Sequence, residues 1–388
     1  MAWRYIMLIN RPPMGWNSWN TFGSNISEDL IKETADIIVS SGLKDAGYEY
    51  VVIDDCWSLH ERDAEGHIVP DPEKFPHGMK ALADYVHSKG LKFGMYSCDG
   101  DKTCAGYPGS YNYEFVDAKD FADWGVDYLK YDNCYKPGNR SGRFLYNRMS
   151  MALKASGRDI VFSACNWGTE EVHKWIRSTG AHLYRSTGDI SDCFASAKGL
   201  ANSQMNVWGY SAPGCFNDID MLICGMYGKG NVAVGGCNDT EYKTHFALWC
   251  FYGSPLMIGC DVRNMSDATL ELLKNKDLIA INQDAEARPP FLLNATFSDN
   301  TSQNSYLQFS AIKHLENGEY ALGFFNYADY ESVVPCDFEL MGLTADDKFG
   351  FEMREVFTGE TVTAFEKHYT TVDAHGCKIY RAKLIPAK

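Results

Sequence analysis

Short apolar runs alternate with stretches of helical periodicity from Pro12 to Asn275, and this alternation limits the fold more than any other feature. Strands are expected at Pro12 to Asn20, Tyr48 to Asp55, Lys92 to Ser97, Val126 to Tyr131, Ile160 to Cys165, His182 to Ser186, Asp218 to Cys224 and Pro255 to Cys260. Each is followed by a helical stretch: Glu28 to Ser41 with Ser27 as its cap, then His77 to Ser88, Val116 to Asp123, Arg140 to Ala155, Glu170 to Arg177, Ser191 to Ala201, Thr240 to Phe251 and Asp267 to Asn275. Eight such pairs predict an α/β fold, a closed parallel (β/α)8 TIM barrel. After Asp284 the texture changes to short strands between turn residues, around Tyr306, Tyr320, Phe349 and Lys378. The expected organisation is therefore a catalytic barrel over residues 1–288 and a C-terminal antiparallel β-sandwich domain over 289–388.

In such a barrel the informative positions are the carboxyl ends of the strands. Strand two ends in Asp54-Asp55, strand four in Lys130 and Asp132, strand six in Arg185 followed by Asp189, and strand seven carries Asp218 and Asp220. Six carboxylates and two cations thus meet at one mouth. The fourth strand shows the chemistry most clearly. In Trp124-Gly-Val-Asp-Tyr-Leu-Lys-Tyr-Asp-Asn-Cys134 the side chains of Tyr128, Lys130 and Asp132 fall on one face. Lys130 and Asp132 are two residue rises apart, roughly 6 to 7 Å. An Asp capping the next loop beside a structural Lys is the plain reading of that pair, but burying charges costs several kcal/mol, and chains tolerate the cost mainly where the charges are used.

Composition narrows the ligand. A net charge of −15 over 388 residues argues against nucleic acid and anionic membrane, so a neutral small molecule is expected. Aromatic residues make up 14 %, with 9 Trp and 23 Tyr, which supplies stacking faces suited to sugar rings, although a large aromatic core accounts for the same number. No run of 18 apolar residues occurs, and the first ten residues lack a signal peptide's apolar region, so a cytoplasmic protein is expected. The 13 cysteines are scattered without paired C-x-x-C spacing and read as mostly reduced core residues. Six Asn-x-Ser/Thr triplets, Asn25-Ile-Ser27 among them, read as chance. The sequence allows a homo-oligomer without deciding it.

Three classes of function fit an acid-lined mouth. A metal-dependent barrel hydrolase wants histidines beside the acids, yet no H-x-H or H-x-x-x-H pair occurs and only His182 lies near a strand end. A non-catalytic sugar-binding protein gains nothing from a lysine held beside Asp132. A glycosidase needs two carboxyl groups flanking the scissile bond, with further acids to read hydroxyls, and accounts best for the surplus of carboxylates.

The motifs also resemble a family. Met14-Gly-Trp-Asn-Ser-Trp19, Ile53-Asp-Asp-Cys-Trp57, the Trp124–Cys134 stretch, Thr187-Gly-Asp-Ile190, Asn217-Asp-Ile-Asp-Met-Leu222, Ile258-Gly-Cys-Asp-Val-Arg263 and Ala280-Ile-Asn-Gln-Asp284 resemble the α-galactosidases of glycoside hydrolase family twenty-seven. The resemblance implies a retaining exo-glycosidase for terminal α-D-galactosides that needs no metal or organic cofactor. It implies Asp132 as nucleophile and Asp189 as general acid/base, with Lys130 holding Asp132 ionised. It further implies Trp19 stacked on the sugar, Asp54 and Asp55 reading the C4 and C6 hydroxyls, and Tyr96, Arg185, Asp220 and Met221 lining the remainder. Cys104 and Cys134 match a pair that is a disulfide in secreted relatives, with Cys104 beside the sugar; a reducing cytoplasm disfavours that bond. Two departures stand out. The family commonly has Tyr-Ser-Asp where this chain has Tyr96-Ser-Cys98, and Cys-Glu-Trp where it has Cys165-Asn-Trp167, so that Asn166 replaces a Glu in the wall around the C2 substituent. The implied alternatives on the same scaffold are a β-L-arabinopyranosidase and an α-N-acetylgalactosaminidase.

Overall fold

The computed structural model describes residues 7–297 and 306–387. Eight parallel strands form one sheet: β1 (Met14–Asn17), β2 (Tyr50–Val52), β3 (Lys92–Cys98), β4 (Tyr128–Asp132), β5 (Val161–Cys165), β6 (Leu183–Arg185), β7 (Phe216–Asp218) and β8 (Leu256–Ile258). They lie in sequence order, with β8 back beside β1. Closure comes from beyond β7. Leu222 forms a parallel bridge with Ile258, its N–H donating to Met257 O at 2.8 Å while its own carbonyl accepts from Gly259 N–H at 2.9 Å. The expected seventh strand, Asp218 to Cys224, is therefore split in two, because Asp220 sits at φ 90°, in the left-handed region that interrupts an extended run.

Inward-facing Tyr50, Val52, Tyr128, Val161, Leu183 and Phe216 fill the barrel, with the Tyr50 and Tyr128 rings 5.5 Å apart. Side-chain caps fix the starts of several outer helices: Ser27 for Glu28–Ser40, Ser141 for Gly142–Ala155, and an Asn238/Glu241 capping box for Asp239–Tyr252. One repeat departs from expectation. In place of a helix over Glu170 to Arg177 there are two 3-10 turns, Thr169–Lys174 and Ile176–Thr179, because Glu170 and Glu171 take φ of 55° and 50°. Glu170 is used instead as a tie: its carboxylate accepts from Gly142 N–H at 3.1 Å and pairs with Lys136. The polar stretch before His77 holds an antiparallel hairpin, Ser58–Arg62 with Ile68–Pro70, that periodicity did not signal. Arg62 pins it to the Glu114–Trp124 helix through two bonds to Asp117, at 2.6 and 2.7 Å.

The helix Lys276–Asn282 precedes the antiparallel part: β9 (Phe291–Phe297), β10 (Tyr306–His314), β11 (Glu319–Asn326), β12 (Ser332–Asp337), β13 (Phe349–Glu355), β14 (Thr361–Phe365), β15 (Lys367–Val372) and β16 (Cys377–Pro386). Six of these make one sheet in the order β9-β10-β11-β16-β13-β14, and β12 pairs with β15 as a second layer. Ile312, Leu322, Phe324, Val334, Phe338 and Val372 pack in the small core of this part. A larger core runs without a break from the barrel helices into the sheet, where Phe251 meets Phe325 edge-on at 5.9 Å. No described helix is long and apolar enough to cross a membrane.

Candidate active site

The carboxyl ends of the strands form one polar pocket, and the register of the parallel sheet decides what meets there. Tyr96 pairs with Lys130 and Cys98 with Asp132 between β3 and β4, and Arg185 pairs with Asp218 between β6 and β7. Of the residues singled out from the sequence, Trp19, Asp54, Asp55, Tyr96, Cys104, Lys130, Asp132, Arg185, Asp189, Asp220 and Met221 all line this pocket.

Two cations divide it. On one side, Lys130 donates to Asp54 Oδ2 at 2.8 Å, and Asn17 Nδ2 donates to the same oxygen at 2.8 Å. Lys130 and Asp132 share a face as expected, and the ion pair that Lys130 makes runs across strands to Asp54. Asp132 accepts from Tyr96 Oη at 3.1 Å and from Asn133 N–H at 2.8 Å. Burial pushes its carboxyl above the ordinary range, opposed by the charge of Lys130 and the Asn133 N–H. The lysine thus acts in the expected direction, yet burial outweighs it. Asp55 is held by backbone N–H groups of Cys56 and Ala105 at 2.7 and 3.0 Å.

On the other side, Arg185 Nη2 donates to Asp189 Oδ1 at 2.8 Å, to Asp220 Oδ2 at 2.7 Å and to the Gly188 carbonyl at 2.8 Å. The two acids differ in setting. The Asp189 side chain is 75 % exposed and that of Asp220 only 4 %. Burial raises the Asp220 carboxyl to about 6 against the pull of Arg185. Asp220 owes its aim to its left-handed backbone, which turns the carboxylate to receive Ile190 N–H at 2.6 Å. Cys56, Tyr135 and Trp167 are also left-handed non-glycine residues just past β2, β4 and β5, at φ 72°, 48° and 58°. Such backbone costs about 1 to 3 kcal/mol per residue and gathers where geometry is used.

Two expected members do not reach the pocket. Asn166 is fully buried behind it, its Oδ1 accepting from Thr169 Oγ1 at 2.9 Å, and the next residue, Trp167, lines the pocket in its place. The left-handed turn at Trp167 swings the indole inward, and nothing in the Cys-Asn-Trp triplet itself announces that. Asp218 accepts from Asp220 N–H at 2.9 Å and lies outside the lining, so five of the six strand-end acids converge. His182 precedes β6 and so sits at the opposite end of the barrel, where its Nδ1 accepts from Phe162 N–H at 2.9 Å. Asn20, Ile190 and Val232 complete the lining without having been singled out; of the three, Ile190 lies within a recognised motif and Asn20 directly follows one.

Behind β3 and β4 lies a second buried acid, Asp99, which donates its N–H to Asp132 O at 2.9 Å. Neither of its carboxylate oxygens has a partner among the described residues. Burial raises its carboxyl to about 8, with Lys136 opposing and Asp132 and Glu170 adding to the rise. Cys104 and Cys134 are joined as a disulfide at the rim, while eleven other cysteines are free thiols, nine of them buried.

A buried carboxylate gripped by two donors, an exposed one across the pocket and further acids to read hydroxyls form an arrangement suited to cleaving an acetal between two carboxyl groups. Comparison with known proteins agrees. Residues 11–284 match the family described as alpha galactosidase A, and 311–382 match the alpha galactosidase C-terminal beta sandwich domain. Alpha-galactosidase 3 of Arabidopsis thaliana is 42 % identical over 96 % of this chain and 82 % of its own length. Alpha-galactosidase A of Cellvibrio japonicus is 40 % identical over 98 % of this chain and 94 % of its own. The crystal structure of alpha-galactosidase I from Mortierella vinacea superposes with a TM-score of 0.89 over 100 % of both chains at 32 % identity. By its strands, its mouth and these likenesses, the chain belongs to the alpha galactosidase A family of glycoside hydrolases.

Proposed function

We propose that this protein is a retaining exo-glycosidase that hydrolyses terminal α-D-galactosides through a covalent glycosyl-enzyme. The supporting observation is the pocket in which Asp132, held by Tyr96 and Asn133, and the solvent-reached Asp189 stand among three further acids and two cations. Asp132 attacks the anomeric carbon as Asp189 protonates the departing oxygen; Asp189 then takes a proton from the water that releases the sugar. Two inversions return the original configuration. Lys130 pairs with Asp54 and lowers the cost of an ionised Asp132. Arg185 orders Asp189 and Asp220 together. Trp19 offers a half-buried face for the ring, and Asp54 and Asp55 accept from its hydroxyls.

The glycone follows from Asp54. A pentose lacks the O6 hydroxyl that this acid is assigned, which costs ~1 to 3 kcal/mol in binding. Asn166 no longer bears on the C2 substituent, since it does not reach the pocket. The test is kcat/KM on p-nitrophenyl α-D-galactoside, β-L-arabinopyranoside and α-N-acetylgalactosaminide, with the first-released anomer read by NMR. The α-galactoside should lead and release α-galactose; a leading arabinoside would remove the O6 assignment, and a β-anomer would remove the double displacement. The eleven free thiols favour a reducing compartment such as the cytoplasm and the Cys104–Cys134 disulfide opposes it, so cell fractionation is the check.

A further inference from the structure

The Cys104–Cys134 disulfide lies beside Asp132. One carboxylate oxygen of Asp132 and the two sulfurs all lie within 4.8 Å of one another, and Tyr96 Oη stands 3.1 Å from Asp132 Oδ2 and 3.7 Å from Cys134 Sγ. Among the described residues no other group of three cysteine, histidine or acidic side chains comes together this closely. While the sulfurs are bonded to each other they are not thiolates, and only thiolates bind metal well.

The reduced form is a different object. Cys104 is exposed at the rim, within reach of a small dithiol, whereas Cys134 is buried beneath it. The segment carrying Cys104 is anchored apart from the disulfide. Ala105 N–H donates to Asp55 Oδ2 at 3.0 Å, and Arg62 donates to Gly109 O at 2.7 Å. Thr103 N–H donates to Tyr107 O at 2.8 Å and Ser110 N–H to Cys98 O at 3.1 Å. Cys134 follows β4 directly, and its carbonyl packs on Gly100, where an added Cβ would lie only 2.1 Å away. Cutting the bond therefore leaves two thiols close to where the sulfurs already were.

We infer that the reduced protein binds a soft divalent cation of the Zn2+ or Cd2+ kind on Cys104 Sγ, Cys134 Sγ and the Asp132 carboxylate, and that binding switches hydrolysis off. The switching half rests on Asp132 being the nucleophile. The steps balance. A dithiol reductant gives two electrons and two protons to the disulfide and becomes a cyclic disulfide, leaving two thiols. The cation then displaces their two protons without further electron transfer. Two thiolates and a carboxylate make a borderline-soft set that suits zinc and cadmium, with a fourth position left for water on the pocket side. A carboxylate committed to the metal no longer attacks an anomeric carbon. The oxidised protein lacks two of the three ligands.

The experiment reduces the full-length protein with dithiothreitol, removes the reagent without air, and assays an aryl α-galactoside with Cd2+ or Zn2+ at micromolar concentration. Reduced enzyme should lose an order of magnitude or more of its rate and regain it with EDTA, while oxidised enzyme is unchanged. The Cd–thiolate absorbance band in the ultraviolet reports binding without activity. It should appear on reduction and be missing from the Cys104→Ser/Cys134→Ser protein, which keeps the eleven other thiols. Equal sensitivity of oxidised and reduced protein overturns the inference, as does a reduced protein that shows neither band nor inhibition. A band without inhibition overturns the switch and counts against Asp132 as nucleophile, leaving the metal site standing.

Discussion

Two lysines of this chain are withdrawn from water, one at the barrel mouth and one where the barrel meets the antiparallel sheet, and they titrate in opposite directions. Lys130 has a side chain 14 % exposed and pairs with Asp54 at 2.8 Å. Burial acts to lower its pKa, but Asp54 and then Asp132 outweigh that, so it stands well above the ordinary lysine value. Lys313 is 1 % exposed, and among the described residues its ammonium reaches only the Phe251 carbonyl, at 3.3 Å. Burial carries it down to about 8, with Asp284 opposing from a distance. The difference lies in the partners. At the mouth charge is matched to charge, whereas at the interface, among the described residues, the Lys313 ammonium has a backbone carbonyl in place of a carboxylate.

If the charges at the mouth are held for use, turnover depends on them. Asp132→Ala should abolish turnover with the fold retained, and added azide should restore aryl release from an activated substrate as a glycosyl azide of inverted configuration. Near-normal rates in that variant would remove Asp132 as nucleophile. Asp189→Ala should lose several orders of magnitude on natural galactosides and far less on a dinitrophenyl galactoside, whose leaving group needs no proton. Equal losses on both would dismiss Asp189 as the acid/base.

Lys130→Met then asks what the pairing is worth. It strands the carboxylate of Asp54 without its cation, at a cost of about 3 to 5 kcal/mol in stability. It also removes the charge that lowers the Asp132 pKa, so the acid limb of the kcat/KM profile should move to higher pH. A profile that stays put would show that Lys130 serves Asp54 alone.

How far the sequence carried these conclusions depends on whether the deciding contact was local. Strand ends, their acids and the sharing of a face by Lys130 and Asp132 follow from period two along a single strand, and were legible. That Lys130 turns to Asp54 depends on the register of strands 76 residues apart in the chain, which no local pattern encodes. The split of the seventh strand and the inward turn of Trp167 hang on single left-handed residues, Asp220 and Trp167 itself, whose side-chain types rarely announce that conformation. Asp99 was passed over because, next to Cys98 in the chain, it reads as one more loop acid, and its complete burial depends on neighbours distant in sequence.

Asp99 is the acid counterpart of Lys313, buried beside the mouth with no partner for its carboxylate among the described residues. Its carboxyl is raised from 3.8 to about 8, so the folded protein holds a proton that the unfolded chain has released. Stability from this group is full below pH ~4 and falls as pH climbs through 8, by roughly 4 kcal/mol at neutrality. Asp99→Asn mimics the protonated acid and carries no such loss. Its Tm should match the wild type near pH 4 and exceed it by a widening margin up to pH ~8. A margin that does not grow would mean that Asp99 is ionised in the folded state with a partner of its own.

The smallest expected effect has the opposite sign to its counterpart at the mouth. In Lys313→Met the unbranched side chain keeps most of the lysine's volume in the seam between Phe251 and the sheet and leaves no ammonium to desolvate. The folded pKa of about 8 against 10.5 in the free side chain means the folded state is the poorer host for the proton. That disadvantage is complete below pH 8, shrinks as the folded form gives up its proton, and is gone above 10.5. At neutrality it amounts to about 3 kcal/mol. The bond to Phe251 O that is lost offsets about 1 kcal/mol of it. The substitution should therefore stabilise the protein by about 2 kcal/mol at pH 7, where Lys130→Met destabilises it, and should leave kcat/KM on the aryl galactoside unchanged. Thermal melts at pH 7 and near 10 decide the matter. A gain that vanishes at the higher pH is the signature of a buried ammonium, whereas a loss at pH 7 would show that Lys313 is paired after all, and that the interface obeys the same rule as the mouth.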